Sequence, residues 1–386
     1  MTTVNFVVPP LDPERFSGGI LCILEYAKGF RSKGYHVNLI PLLPSSSPGW
    51  FRGDVGSIPN VELPTTIPQS IRSESPYLLP LEMLAGLYLI YARELLKREE
   101  FKADVTIATS CLTALPVKLY GSGRRFYFAQ HFEPYFGIEA ADSMDWWEYQ
   151  ALATYRLGLE LLSNSSWLSG KLRQEAGVDS HVCPNAIDHE VFFGSPKPES
   201  AYKEIRVISY GGRLADWKGF REMAAAVRLT RERLPEMNVR WQVYGTSVLK
   251  PNNDVANYED LGFLRQADLA NAYRGADILL SASWYESFPL FPLEAMACGL
   301  PVITTQHGTE EYAIHGDTAE VVQPRDAHSI SAGLIRLITD SSYRSKVAAE
   351  GNRIAKKFTW AASVNRMEKV ILGAKEISPS TAVPAP

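Results

Sequence analysis

The stretch Glu286 to Thr304, E-S-F-P-L-F-P-L-E-A-M-A-C-G-L-P-V-I-T, decides how this chain is read. Its middle reads as a short apolar helix, and Gly299 and Pro301 read as the stop that ends it. The residues after the stop, L-P-V-I-T-T, read as a strand, and A-D-I-L-L-S-A-S in front of it (Ala276 to Ser283) reads as another. Strand, turn, helix, strand is the unit that builds a parallel sheet. Two carboxylates, Glu286 and Glu294, stand in these apolar surroundings with seven residues between them. A charge placed where burial is expected needs a partner or a ligand.

The same rhythm extends in both directions. E-I-R-V-I-S-Y-G-G (204–212) is a strand running into a glycine turn, G-F-R-E-M-A-A-A-V-R-L-T-R-E-R-L an amphipathic helix, V-R-W-Q-V-Y-G a strand and D-L-A-N-A-Y-R-G a helix. Toward the N-terminus, Val4–Val8 reads as a strand, residues 20–33 as a helix stopped by Gly34, and Y-H-V-N-L-I as a strand. Helices are expected over 78–100, 112–121, 145–157 and 166–176, and strands at D-V-T-I-A-T-S, F-Y-F-A-Q and L-E-L-L-S-N-S. Residues 44–76, rich in Pro, Ser and Gly, read as a long loop.

The chain therefore holds two successive α/β halves, each a doubly wound sheet, joined near the proline-bearing segment 183–200. The expected division is 1–185, then 186–358, with a disordered tail over 377–386. In such sheets ligands sit beyond the carboxyl ends of the strands. That places the chemistry at Gly18–Gly19 in the first half, and at Gly211–Gly212, Gly245, Gly262 and the 285–294 turn in the second.

Composition narrows the classes. A chain of 386 residues with 46% apolar and 21% charged residues is an ordinary globular one. A net charge of −4 leaves no basic footprint for a nucleic acid. Cys22, Cys111, Cys183 and Cys298 form no C-x-x-C pair and read as buried free thiols of a reducing cytoplasm. The most lipid-like run, Leu78–Leu96, has only ten uncharged residues between Glu82 and Arg93, too few to span a bilayer. A core helix is the favoured reading, with a membrane-surface helix as the other. The N-terminus lacks the pattern of a signal peptide.

The ligand follows by elimination and by charge. Gly18 and Gly19 come nine residues after the first strand, so no tight dinucleotide turn is present, and there is no Walker-A loop. G-G-R-L-A-D-W-K-G follows a strand and offers Arg213 as a planar fork and Lys218 as a point charge, a pair suited to a diphosphate. A helix opening at Ser287–Pro292 favours anions. Two carboxylates at the same place suit a ligand that also presents hydroxyls, because a carboxylate accepts two hydrogen bonds from a vicinal diol. A diphosphate flanked by two diols describes a nucleoside-diphosphate sugar.

These segments resemble, in order along most of the chain, the retaining GT-B glycosyltransferases of the large family 4 group. E-S-F-P-L-F-P-L-E resembles the E-x7-E signature, G-G-R-L-A-D-W-K-G the diphosphate loop and P-N-A-I-D-H-E-V-F the interdomain segment. S-G-G-I resembles the N-terminal Gly-Gly loop and H-G-T-E-E-Y the turn after the signature. F-T-W resembles the start of the C-terminal helix that crosses back to the first domain, here expected over 359–376. Y-F-A-Q-H-F-E-P-Y-F is similar to bacterial polysaccharide rhamnosyltransferases.

The resemblance implies roles. Arg213 and Lys218 hold the diphosphate and offset charge on the leaving group, without metal or cofactor. Glu286 holds hydroxyls of the donor sugar and Glu294 the ribose diol. Backbone N–H groups of Phe288 and Leu290 face the sugar or phosphate, while Pro289 has no N–H to give. Gly212 lies beside the diphosphate, Gly19 near the phosphates from the opposite domain, and the base near Gly245 and Phe263–Leu264. His131 contacts the donor sugar; the competing reading is a structural or surface histidine. Glu133, Tyr135 and Asp142 are acceptor-side candidates, and Trp146–Tyr149 either stacks on sugars or belongs to the core.

The implied protein is a cytoplasmic transferase, with room for contact at the inner membrane surface. It moves a sugar, L-rhamnose from dTDP-L-rhamnose being the favoured one, to a growing polysaccharide or glycolipid. Two alternatives compete: a catalytically silent carbohydrate-binding partner, and a sugar-nucleotide epimerase on the same fold.

Overall fold

The computed structural model describes residues 1–59, 81–135, 145–199, 204–212, 215–246, 248, 250 and 255–373, with backbone only for 81–84 and 145–146. Arg213, Asp142, most of the 44–76 loop and the 377–386 tail fall outside the described residues.

The first half is a six-stranded parallel sheet in the order β2-β1-β3-β4-β5-β6. Its strands are β1 Thr3–Val8, β2 His36–Pro41, β3 Val105–Ala108, β4 Arg124–Ala129, β5 Glu160–Ser163 and β6 Ser180–Val182. Between them run the helices α1 Gly18–Ser32, α2 Leu81–Leu96, α3 Cys111–Tyr120, α4 Asp145–Tyr155 and α5 Ser166–Lys171. The second half is another six-stranded parallel sheet, β12-β11-β10-β7-β8-β9. Its strands are β7 Glu204–Gly212, β8 Asn238–Gly245, β9 Glu259–Asp260, β10 Ile278–Ser281, β11 Val302–Thr305 and β12 Glu320–Val322. Its helices are α6 Phe220–Arg233, α7 Gln266–Gly275, α8 Leu290–Ala297, α9 Ala327–Thr339 and α10 Ser341–Ala355, and α11 Trp360–Leu372 closes the chain.

The expected doubly wound α/β architecture is what forms, for the expected reason. The central strands are apolar runs buried along nearly their whole length, as two helix-covered faces demand. Each sheet packs an apolar cluster on either face. Both strand orders reverse once, between β1 and β3 in the first sheet and between β7 and β10 in the second. Those reversals put the loop after β7 and the loop after β10 side by side, open at the carboxyl edge.

Several boundaries differ from the sequence reading. The helix expected over 78–100 ends at Leu96 and a separate 3-10 turn covers Glu99–Phe101. The 166–176 helix is α-helical only to Lys171 and then widens into a π turn over Leu172–Ala176. The strands β6, β9 and β12 are too short to show a period, and the sequence reading left them out together with α9 and α10.

The last helix, α11, leaves the second half and packs on α1. Val364, Met367, Val370 and Ile371 join the cluster that holds Phe6, Phe30 and Val37. A Cβ at Gly29 of α1 would lie 2.4 Å from Val364 Cγ2, so only glycine lets the two helices approach this closely. Lys33 pairs with Glu368, and the Tyr35 hydroxyl donates to Glu368 Oε1 at 2.7 Å.

Candidate functional site

The loop after β7 delivers Lys218 to Glu286. It makes a 3-10 turn over Asp216–Lys218, then Gly219 takes a left-handed φ of 68° before α6 begins. A Cβ at Gly219 would lie 2.0 Å from the carbonyl oxygen of Ala282, at the exit of β10. The Trp284 N–H donates to the Trp217 carbonyl at 2.7 Å and ties the two loops together. The Lys218 ammonium pairs with Glu286 Oε1 and lies 3.9 Å from the centroid of the Trp217 ring. Ser283 Oγ donates to the same carboxylate oxygen at 3.1 Å. Two residues 68 apart in sequence thus form one partly buried ion pair at the point where the strand order reverses.

Glu294 is in a different state. It lies on α8, 6% exposed, and its Oε2 is buried without a hydrogen-bond partner. Burial pushes its carboxyl up to about 8. It lies within electrostatic reach of Tyr244 and Tyr273 in the second half and of Cys22 in α1 of the first, so it sits where the halves meet. A carboxyl desolvated without donors stays protonated at neutral pH.

The remaining expected residues divide into side chains and backbone. Phe288 is buried, its ring 5.6 Å from Tyr312 and 5.9 Å from Phe358. Leu290 and Leu264 pack against the same apolar cluster. Their side chains build the core, and only main-chain groups are left for a ligand. Gly212 has a structural reason of its own. A Cβ there would lie 2.4 Å from Gly245 Cα, because β7 and β8 meet backbone to backbone at their ends.

The first half contributes from its own carboxyl edge. Helix α1 starts at Gly18–Gly19 with Ser17 as an N-cap that makes no side-chain bond, leaving N–H groups at its tip. His131, which follows β4, places its ring 5.9 Å from Trp217 and 6.3 Å from Tyr285. The expected first-half histidine therefore reaches the neighbours of both Lys218 and Glu286. The sequence reading missed the rings around it. Tyr285 stacks on Trp217 at 5.3 Å with planes 10° apart, and runs parallel to Trp167 of the first half at 6.5 Å and 6°. Glu311 Oε1 accepts the Ser166 N–H at 2.5 Å, a second bridge between the halves. An aromatic directly beside each site charge, W-K and Y-E, was the available signal.

Glu133 is not available to an acceptor molecule. It is 5% exposed, and its carboxylate accepts from the Cys111 N–H at 2.9 Å and from the Tyr127 hydroxyl. Its own N–H donates to the Tyr155 hydroxyl, which donates in turn to the His131 carbonyl. Burial raises its carboxyl to about 7, against the opposing pull of those donors. Its place is beneath the His131 turn. In the Trp146–Tyr149 stripe, the Trp147 indole donates to the Glu133 carbonyl, whereas Tyr149 is exposed. All four cysteines are free and buried.

A cavity of about 210 Å³ opens at the far edge of the second sheet, beside Lys197, Arg274 and Asp277. Lys197 bonds the Ala276 carbonyl and Asp277, and Arg274 bonds the Phe193 carbonyl, so these cations are committed to the fold. Among the described residues no cluster of His, Cys, Asp and Glu could hold a metal ion, and no helix is long and apolar enough to cross a membrane.

Residues 205–340 match the family model described as glycosyl transferases group 1. The chain is 27% identical over 281 residues to the O-antigen biosynthesis protein RfbC of Myxococcus xanthus, covering 70% of this chain and 21% of that protein. It spans between about a fifth and under a half of the length of the curated relatives it matches first. Among solved structures it is similar to sucrose-phosphate synthase from Thermosynechococcus elongatus, with a TM-score of 0.76 at 16% identity over 97% of this chain and 99% of the other. It is also similar to Anabaena HepE in complex with UDP and glucose, with a TM-score of 0.67 at 16% identity over 96% and 99%. The chain has the GT-B fold.

Proposed function

We propose that this chain is a retaining glycosyltransferase that takes a nucleoside-diphosphate sugar and extends a polysaccharide or glycolipid. The observation that carries the reading is the Lys218–Glu286 pair at the strand-order reversal, with the buried and unpartnered Glu294 eight positions further along the chain. The match of the surrounding residues to glycosyl transferases group 1 supports it.

The geometry suggests how the groups act. An incoming diphosphate competes with Glu286 for the Lys218 ammonium. Lys218, joined by Arg213, then faces the phosphate on which negative charge grows as the glycosidic bond breaks, and a cation fixed in a dry cleft stabilises that charge. Glu286, released from Lys218, accepts hydroxyls of the sugar. Glu294 gains in the ribose diol the donors it lacks. The leaving phosphate oxygen takes the proton of the attacking acceptor hydroxyl, on the same face of the sugar, so the anomeric configuration is kept. Positioning and charge stabilisation supply the acceleration, and no protein nucleophile or metal ion is assigned.

For the transferred sugar we take L-rhamnose from dTDP-L-rhamnose, on the resemblance of Y-F-A-Q-H-F-E-P-Y-F to rhamnosyltransferases. A UDP-linked sugar is the competing donor, since HepE was solved with UDP and glucose. We assign the reaction to the cytoplasm, with contact at the inner membrane surface where the acceptor is a glycolipid.

The test is thermal unfolding against UDP, GDP, dTDP and ADP and their sugars. A ligand at a hundred times its dissociation constant adds about 2.7 kcal/mol. Lys218→Ala should weaken nucleoside diphosphate and donor alike, and Glu286→Ala should spare the bare diphosphate and weaken only the sugar-dependent increment. Loss of diphosphate binding in Glu286→Ala would contradict the roles assigned, and silence of the folded wild-type protein across the panel would refute the transferase reading.

A further inference from the structure

At the carboxyl edge of the first sheet, β4 and β5 end in register, with Ala129 opposite Ser163. The next residue on each strand is an amide, Gln130 and Asn164. Asn164 Nδ2 donates to the Gln130 carbonyl at 2.9 Å, which fixes which end of the Asn164 amide points away. That end, Asn164 Oδ1, is buried in a residue 2% exposed and has no hydrogen-bond partner, and Gln130 Oε1 is likewise buried and unpartnered. Two buried amide oxygens without donors, on residues that follow paired strand ends, are costly, and native folds rarely keep them without something to satisfy them.

Their surroundings are those of the candidate site. The position of a Cβ at Gly19, on the tip of α1, is 3.9 Å from Gln130 Nε2 and 4.0 Å from Oε1. His131, one residue on, carries its ring to Trp217 and Tyr285, which flank Lys218 and Glu286 in the sequence. Just past Asn164, Ser166 bonds Glu311 of the second half.

We propose that Gln130 and Asn164 form a hydroxyl-recognising floor for a carbohydrate ring held between the halves, opposite Glu286. The inference rests on the functional reading above and extends it to residues with no role so far. The unsatisfied atoms are acceptors, so a phosphate, itself only an acceptor, does not answer them, whereas a sugar hydroxyl donates. The Gln130 amide nitrogen beside Gly19 can donate in return to a hydroxyl or ring oxygen. A pair of amides on rigid strand ends discriminates sugars by the orientation of their hydroxyls, and an analogue without the matching hydroxyl leaves the buried oxygens unpaired. The ring is either the transferred sugar of the donor or the accepting sugar.

Calorimetric titration separates the possibilities. Wild type, Gln130→Leu and Asn164→Ala are titrated with UDP, dTDP and GDP, then with UDP-glucose, dTDP-L-rhamnose and GDP-mannose. A third series uses the methyl glycosides of glucose, rhamnose and mannose with the nucleoside diphosphate present. The expected result is that both variants bind the bare nucleoside diphosphate as wild type does. The tightening due to the sugar should fall about tenfold, in the sugar-nucleotide series for a donor ring or in the glycoside series for an acceptor ring. Gln130→Leu, which removes an unpaired buried oxygen, should melt no lower than wild type, so a lost increment there is not a folding defect. Equal increments in wild type and both variants would overturn the proposal. So would a wild type that binds the diphosphate and shows no sugar increment in either series, a result that leaves the diphosphate site standing. A wild type that binds nothing in any series would end both the floor and the transferase reading.

Discussion

Replacing Glu294 by glutamine should make the protein more stable and its nucleotide binding weaker. Glu294 is buried, its Oε2 has no donor, and its carboxyl rises from an ordinary 4.5 to about 8. The sign follows from which form each state prefers. The unfolded chain ionises this carboxyl above about 4.5, whereas the fold holds it neutral up to about 8. Stability from this group is therefore complete below 4.5 and is lost as pH rises toward 8. At pH 7 the difference spans two and a half pH units, or about 3 kcal/mol at 1.36 kcal/mol per unit. Glutamine resembles the neutral acid and avoids that cost. Glu294→Gln should gain up to about 3 kcal/mol at pH 7 and under about 1 kcal/mol at pH 5. Urea unfolding at pH 5, 7 and 8 reads this directly. The same variant should lose about tenfold in affinity for nucleoside diphosphates, because an ionised carboxylate is the stronger acceptor for a diol. A variant less stable than wild type at pH 7, or one whose effect is the same at pH 5 and pH 8, would refute the claim that an unpaired buried carboxyl sits there.

Three other substitutions test the supports of the site. Gly219→Ala forces a side chain into a left-handed φ of 68° with its Cβ 2.0 Å from the Ala282 oxygen, and should cost about 2–4 kcal/mol in unfolding experiments while weakening nucleoside diphosphate binding through a displaced Lys218. Glu133→Gln should follow the pattern of Glu294→Gln, becoming relatively more stable as pH rises from 4.5, but levelling near pH 7 because that carboxyl ionises at about 7 in the fold; urea unfolding across pH 4.5–8.5 shows whether it does. Gly29→Ala pushes a methyl to 2.4 Å from Val364 and should cost about 1–3 kcal/mol, with faster hydrogen exchange in α1 and α11 and none of the change in the second sheet.

The architecture was legible because its signals are local. Buried strands such as Val4–Val8 and Ile278–Ser281 are apolar runs bounded by turn residues, and the helix between Glu286 and Pro301 carries its own stop. What the sequence reading missed was set by contacts distant in the chain. Nothing in S-H-V (180–182) or E-V-V (320–322) marks a strand until β5 and β11 are there to pair with them. The ring stack of Trp167, Tyr285 and Trp217 joins residues from three separate segments of the chain, and each alone reads as ordinary core. Glu133 reads as an acceptor-side candidate in the sequence because the partners that bury it, the Cys111 N–H, the Tyr127 hydroxyl and the Tyr155 hydroxyl that accepts its own N–H, come from α3, β4 and α4.

The two glutamates carry the point furthest. In the sequence they are the same residue in the same apolar stretch, and spacing gives no ground for treating them differently. In the fold Glu286 meets Lys218 and Ser283, because Gly219 bends the β7 loop onto the end of β10. Glu294, two turns of chain further on, points among the tyrosines beneath α8 and meets no cation at all among the described residues. One is paired with a cation that a diphosphate can take away, and the other is held neutral until a diol supplies donors. A ligand that brings a diphosphate and a diol together changes both at once. Either half alone leaves one carboxylate unanswered, so diphosphate and ribose should bind cooperatively: pyrophosphate and the nucleoside, titrated together, should each bind tighter than when titrated alone. Strictly additive binding would mean that the two carboxylates act as separate sites.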